Sequence, residues 1–202
     1  MKRIQNTLIC ISWVCAAHAQ TSVHTSELRH LLPKAGLPPV HAPAAGSRPG
    51  WVWGSVRQVL DGDTYDVQLP AGRFRARLQE VDAPELGQPY GRQAADSVAA
   101  LLRGRSVQLM VTGKDGYGRG LVNIRWRSAR GWVRLDSVAV VRGWAWAYNP
   151  RTTTPGLAPQ QQLAQARHRG LWKCGTAAPI RPAVWRAYNK QEKIAGWGRC
   201  SW

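Results

Sequence analysis

The chain has 202 residues and carries 28 Lys and Arg against 11 Asp and Glu, a formal net charge of +17. Such an excess calls for a polyanionic partner. Because the basic residues are scattered rather than gathered in one tail, they belong to a folded surface and not to a disordered basic arm. Charge alone leaves nucleic acid, anionic membrane and cell wall open, but no segment reaches the roughly 20 apolar residues that span a bilayer.

Lys2 and Arg3 precede an apolar run, Leu8 to Ala17, that ends in Ala17-His18-Ala19. This three-part pattern is that of a secretory signal peptide over residues 1–19, which makes the mature protein secreted or periplasmic. A lipoprotein anchor at Cys15 is disfavoured by Val14, where a small residue is expected. Cys10 and Cys15 leave with the signal, so Cys174 and Cys200 remain. In an oxidising compartment two thiols imply one disulfide, with two unpaired cysteines as the alternative. Zinc is not indicated, because there is no CxxC pair and His168 alone does not complete a ligand set.

Residues 20–50 hold Pro33, Pro38, Pro39, Pro43 and Pro49 without a sustained period and read as a linker, its irregularly spaced His24, His30 and His41 solvated. From Trp51 the chain turns β-rich. Val56 to Leu60 and Thr64 to Leu69 are two strands joined by Asp61-Gly62-Asp63, a tight turn in which Gly62 can adopt positive φ. Trp51 and Trp53 alternate as one face of a strand rather than as a base platform. Phe74 to Val81 is a third strand, stopped by Pro84.

Arg92 to Leu102 has Ala95, Val98, Ala99 and Leu102 at helical spacing and ends at Gly104. Ser106 to Thr112 and Arg119 to Arg127 are the last strands, and Leu135 to Arg142 and Pro159 to Gly170 two further helices. This order predicts an α+β fold, a five-stranded Greek-key β-barrel of the OB type with about three packed helices, in one domain over residues 51–173. Residues 174–202 read as a Trp-rich basic tail that could dock on another surface.

Three turns place charge at strand ends: Asp61-Gly62-Asp63-Thr64, Val81-Asp82-Ala83-Pro84-Glu85 and Asp115-Gly116-Tyr117-Gly118-Arg119-Gly120. Asp61, Asp63, Asp66, Asp82 and Glu85 are five of only 11 acids, a costly placement in so basic a chain. Any one such turn is explained by Asp bonding its own backbone. Three in series are not.

Together LDGDT, RLQEVDAPE and DGYGRG resemble, in order and spacing, the three signatures of the staphylococcal (thermonuclease-type) nuclease family, a resemblance running from about Val56 to Trp172. It implies an OB-fold hydrolase that cleaves DNA and RNA phosphodiesters with little sequence preference, leaving 3′-phosphate ends. It implies calcium held by Asp63, Asp82 and the carbonyl of Ala83, a donor set of hard oxygens suited to that ion. Arg77 and Arg119 match the guanidinium groups that stabilise charge growing on the phosphate oxygens, and Glu85 the carboxylate that orients or deprotonates the attacking water. Tyr117 matches a phosphate-contacting tyrosine, although Gly116 replaces the family's neighbouring lysine. Tyr148 lies where the family has a substrate-contacting tyrosine. The expected state is a monomer without a transmembrane segment. The alternative is a basic OB-fold module that binds nucleic acid without catalysis, against which the presence of all five catalytic-type residues counts.

Overall fold

The computed structural model describes residues 50–148 and 156–202. The predicted signal peptide and nearly all of the predicted linker, with their cysteines and histidines, lie outside the described residues.

Three strands open the fold as a meander: β1 (Val52–Val59), β2 (Thr64–Leu69) and β3 (Gly72–Leu78). Every second side chain turns inward, so β2 buries Tyr65, Val67 and Leu69 while β3 buries Phe74, Ala76 and Leu78. The helix α1 (Gly91–Leu102) then crosses to β5 (Val107–Lys114), which pairs with β1, and a hairpin leads into β6 (Gly120–Ser128). Parallel pairing of β6 with β3 closes five strands into a barrel. Closure removes the edges that an open sheet of this size would expose.

Within the barrel Leu109, Val122 and Ile124 meet the β2 and β3 residues, and α1 adds Val98 and Leu102. Those two positions are four apart, on one helical face. Beyond the barrel, α2 (Leu135–Val141) packs on α3 (Leu157–Ala166), and the short strand β4 (Val81–Asp82) pairs with β8 (Trp146–Ala147). Trp146 meets Trp172 edge to face at 5.9 Å.

Several features differ from the sequence expectation. The third strand ends at Leu78, because Glu80 adopts φ 71°, and the chain resumes as β4. A further strand, β7 (Gly131–Arg134), pairs with β6 outside the barrel. Trp51 and Trp53 share the barrel's outer face with β6 and β7. Trp53 lies 6.2 Å from Trp132, and the Arg125 guanidinium sits 3.9 Å from the Trp51 ring and 4.2 Å from that of Trp132. The register Trp53↔Gln108↔Arg125 brings these groups to one side as a cation–π stack.

The predicted tail is folded, and its helices bring the total among the described residues to five rather than about three. They are α4 (Pro182–Ala187) and α5 (Lys190–Trp197). Proline opens α4, and a reciprocal capping box between Asn189 and Glu192 starts α5. Ala178, Ile180, Pro182 and Trp185 are buried. A disulfide joins Cys174 to Cys200 with Cα atoms 5.9 Å apart, and Trp202 Nε1 donates to the Leu171 carbonyl at 3.4 Å.

Candidate active site

The turn after β1 is organised by Asp61. Its Oδ1 accepts the N–H groups of Asp63 (2.9 Å) and Thr64 (2.7 Å), an Asx arrangement that satisfies the backbone while the chain reverses. The buried Tyr65 hydroxyl donates to the Gly62 carbonyl at 2.8 Å. Gly62 does not use the positive φ open to it; a Cβ there would lie 2.6 Å from the Cβ of Ala83. Glycine is needed for close approach of two loops.

That approach delivers Asp63 to the β4 loop. Its Oδ2 accepts the Ala83 N–H at 2.6 Å and its Oδ1 forms an ion pair with Arg77 Nη1, leaving the residue only 4% exposed. Arg77 Nη2 reaches Asp82 Oδ1 and the Val81 carbonyl, each at 3.2 Å. One guanidinium thus spans two carboxylates. Burial pushes the Arg77 pKa down and those of Asp82 and Asp61 up, and for each carboxyl the nearby guanidinium charge only partly opposes the cost of desolvation.

Arg119 arrives from the β5–β6 turn. The parallel register Ala76↔Gly120 sets it beside Arg77, and Thr64↔Arg77 brings Thr64 to the same end of the barrel. Its Nε donates to Asp115 Oδ2 at 2.6 Å and its Nη1 to Thr64 Oγ1 at 3.2 Å. Asp115 Oδ1 also accepts the N–H groups of Tyr117 and Arg119. Burial opposes ionisation of Asp115, but these donors outweigh it and hold the carboxyl below its usual value.

Glu85 is fixed by its own turn, in which Gln88 Oε1 accepts the Glu85 N–H at 3.2 Å and Gln88 N–H returns to the Glu85 carbonyl at 2.8 Å. Gly91 closes this loop, since a Cβ there would fall 1.8 Å from the Glu85 carbonyl oxygen.

Asp63, Arg77, Asp82, Ala83, Glu85, Tyr117 and Arg119 therefore line one cleft of about 330 Å³. Tyr148, 59% exposed, lines the adjoining cleft instead, where Tyr117, 88% exposed, also stands. Among the described residues no three His, Cys, Asp or Glu side chains converge as a closed ligand set. Sequence reading assigned no role to Asp61, Thr64, Gln88 or Arg186. Asp61 and Thr64 lie inside the first motif and Gln88 just past the second. Arg186 carried no local signal, yet it pairs with Glu85 from α4.

The family model for staphylococcal nuclease homologues matches residues 75–174. An uncharacterized endonuclease of Escherichia coli O157:H7 is 36% identical over 135 residues, covering 67% of this chain and 85% of that protein. The chain belongs to the staphylococcal nuclease family. A micrococcal nuclease of Shigella flexneri is 33% identical over 153 residues, 71% of this chain and 87% of that protein. A probable staphylococcal-like nuclease of Oryza sativa is 32% identical over 119 residues, which is 59% of this chain and 34% of that larger protein. The α+β fold and its five-stranded barrel are those the three motifs led us to expect.

Proposed function

We propose that this family member is a calcium-dependent endonuclease that hydrolyses phosphodiester bonds of DNA and RNA with little sequence preference and leaves 3′-phosphate ends. The observation that carries the reading is the convergence of Arg77 and Arg119 on one cleft with Asp63, Asp82 and Glu85.

In-line attack on a diester builds negative charge on the equatorial phosphate oxygens. Arg77 and Arg119, oriented by carboxylates before substrate arrives, meet that charge at no further cost of reorganisation. A planar guanidinium takes two phosphate oxygens at once, which an ammonium does not. Glu85 orients the water and accepts its proton as the new P–O bond forms. The bond to the 5′ oxygen breaks, that oxygen takes a proton from solvent, and the phosphate stays on the 3′ side.

Calcium suits the donor set. Asp63, Asp82 and the Ala83 carbonyl offer only oxygen, and among the described residues no sulfur or imidazole lines the cleft. Asp82, whose carboxyl is pushed up by burial, is a carboxylate that a bound cation would keep ionised. These three residues would hold the ion, and when bound it supplies Lewis-acid polarisation of a phosphate oxygen.

The cleft is complete within one chain, so a monomer suffices. The Cys174–Cys200 disulfide supports an oxidising compartment, periplasmic or extracellular. Plasmid DNA and RNA incubated with purified protein should be degraded with calcium and spared with chelator, and 3′-end ligation of the products should fail until phosphatase is added. Intact nucleic acid in the calcium reaction would replace this reading with a binding module.

A further inference from the structure

The staphylococcal nuclease match ends at residue 174, but the cleft does not. Arg186, from α4, lines both the cleft that holds Asp63, Arg77 and Arg119 and the adjoining one that holds Tyr117 and Tyr148. We propose that the disulfide-held C-terminal segment is a substrate-binding wall of the nuclease, and that Arg186 binds a phosphate of the nucleic-acid strand next to the one cleaved. This rests on the nuclease reading above.

The backbone carrying Arg186 is anchored on four sides. Gln88 Nε2 donates to the Ile180 carbonyl, so the glutamine that shapes the Glu85 turn also latches the C-terminal segment. Trp185, next to Arg186, is buried against Gly196 of α5, where a Cβ would lie 2.9 Å from the indole. Lys173 Nζ donates to the Ser201 carbonyl at 2.6 Å, and Cys200 is bonded to Cys174.

The side chain itself is held lightly. Arg186 Nη1 pairs with Glu85 Oε1, but the two side chains are 59% and 38% exposed. A pair this wet contributes little and exchanges readily, whereas a phosphate diester offers the guanidinium two oxygens at once. Among the described residues that line the cleft, Arg186 is the third cation beside Arg77 and Arg119, against Asp61, Asp63, Asp82 and Glu85. Moving Arg186 from Glu85 to a substrate phosphate adds a cation along the strand and frees the Glu85 carboxylate for the water.

The test uses the full chain in two assays. Affinity for a long single-stranded DNA is measured in chelator as a function of salt, and steady-state cleavage of that DNA and of a dinucleotide is measured with calcium. For Arg186→Ala we expect about tenfold weaker binding, the weight of one charge-assisted contact, and a log–log salt slope smaller by about 0.7, the share of one phosphate on a single strand. In cleavage the loss should fall mainly on KM and be larger for the long strand than for the dinucleotide. Arg186→Lys should restore the salt slope and part of the affinity. Replacing both Cys174 and Cys200 by Ser should weaken binding similarly, and adding Arg186→Ala to it should cost little more. An unchanged affinity and salt slope in Arg186→Ala would overturn the proposal, as would a rise in kcat, which would make Arg186 a plug. A wild-type chain that binds in chelator but never cleaves would refute the nuclease reading and leave the salt-slope result to decide the role of Arg186.

Discussion

The carboxylate of Asp63 accepts the backbone N–H of Ala83 at 2.6 Å across 20 positions of sequence, and this bond ties the first acidic turn directly to the second. It forms only because Gly62 lets the two loops touch, with a Cβ at that position 2.6 Å from Ala83 Cβ. Gly62→Ala should therefore destabilise the fold by about 1–3 kcal/mol, the usual cost of overpacking, and Ala83→Gly in the same chain should recover part of it. Thermal melts of wild type and the two variants decide this. A Gly62→Ala protein as stable as wild type would show that the loops part without cost.

Arg119 owes its orientation to Asp115, which holds Nε while Thr64 holds Nη1. Asp115→Asn keeps the turn but weakens that grip, and kcat/KM should fall about tenfold with Arg119 still present, as expected for one charge-assisted hydrogen bond. Steady-state kinetics on single-stranded DNA measure it; an undiminished kcat/KM would mean that Thr64 orients Arg119 alone.

The same carboxyl sets a pH dependence. Its pKa is lower in the folded chain than the unfolded value of about 3.9. Its contribution to stability is therefore full above that value and is lost as pH falls through the lower folded pKa. Between neutral pH and the acid range, wild type should lose more stability than Asp115→Asn in matched denaturation curves. Parallel curves would remove Asp115 from the acid response.

The Cys174–Cys200 bond closes a separation of 26 residues, worth about 3.5 kcal/mol by the loop-entropy relation. Alkylation before reduction should modify neither cysteine, and replacing both by serine should lower the unfolding midpoint and expose Trp185 to fluorescence quenchers first. Labelling of both thiols in unreduced protein would contradict this.

What the sequence made legible is what short-range chemistry writes. Asp61 bonding the N–H groups two and three residues on, or Asp115 bonding those of Tyr117 and Arg119, is a turn visible in one motif, and strand alternation fixed which residues enter the barrel. Where three such turns fall at strand ends, the barrel brings them together. The missed features depend on distance. Glu85 and Arg186 are 101 positions apart, and nothing local before α4 announces that Ile180 will meet Gln88. The strand β7 is four residues long, too short for its alternation to register, and pairs with Arg125 to Ser128 of β6, beyond the stretch that β3 covers. The close approach of Gly62 to Ala83 reads in sequence as ordinary turn freedom.

The most direct measurement compares wild type, Asp63→Asn and Arg119→Lys for cleavage of single-stranded DNA and RNA with calcium at mildly alkaline pH, each first shown to be folded by circular dichroism. Asp63→Asn keeps shape but removes a charge from the pair with Arg77 and from the proposed calcium set, and Arg119→Lys keeps charge but loses the two-pronged geometry. Wild type should degrade both polymers, and each variant should lose about 10²-fold or more in kcat, as for other preorganised transition-state contacts. Wild-type protein that leaves both polymers intact, or folded variants that cut as fast as wild type, would contradict the assignment of this cleft as the catalytic site.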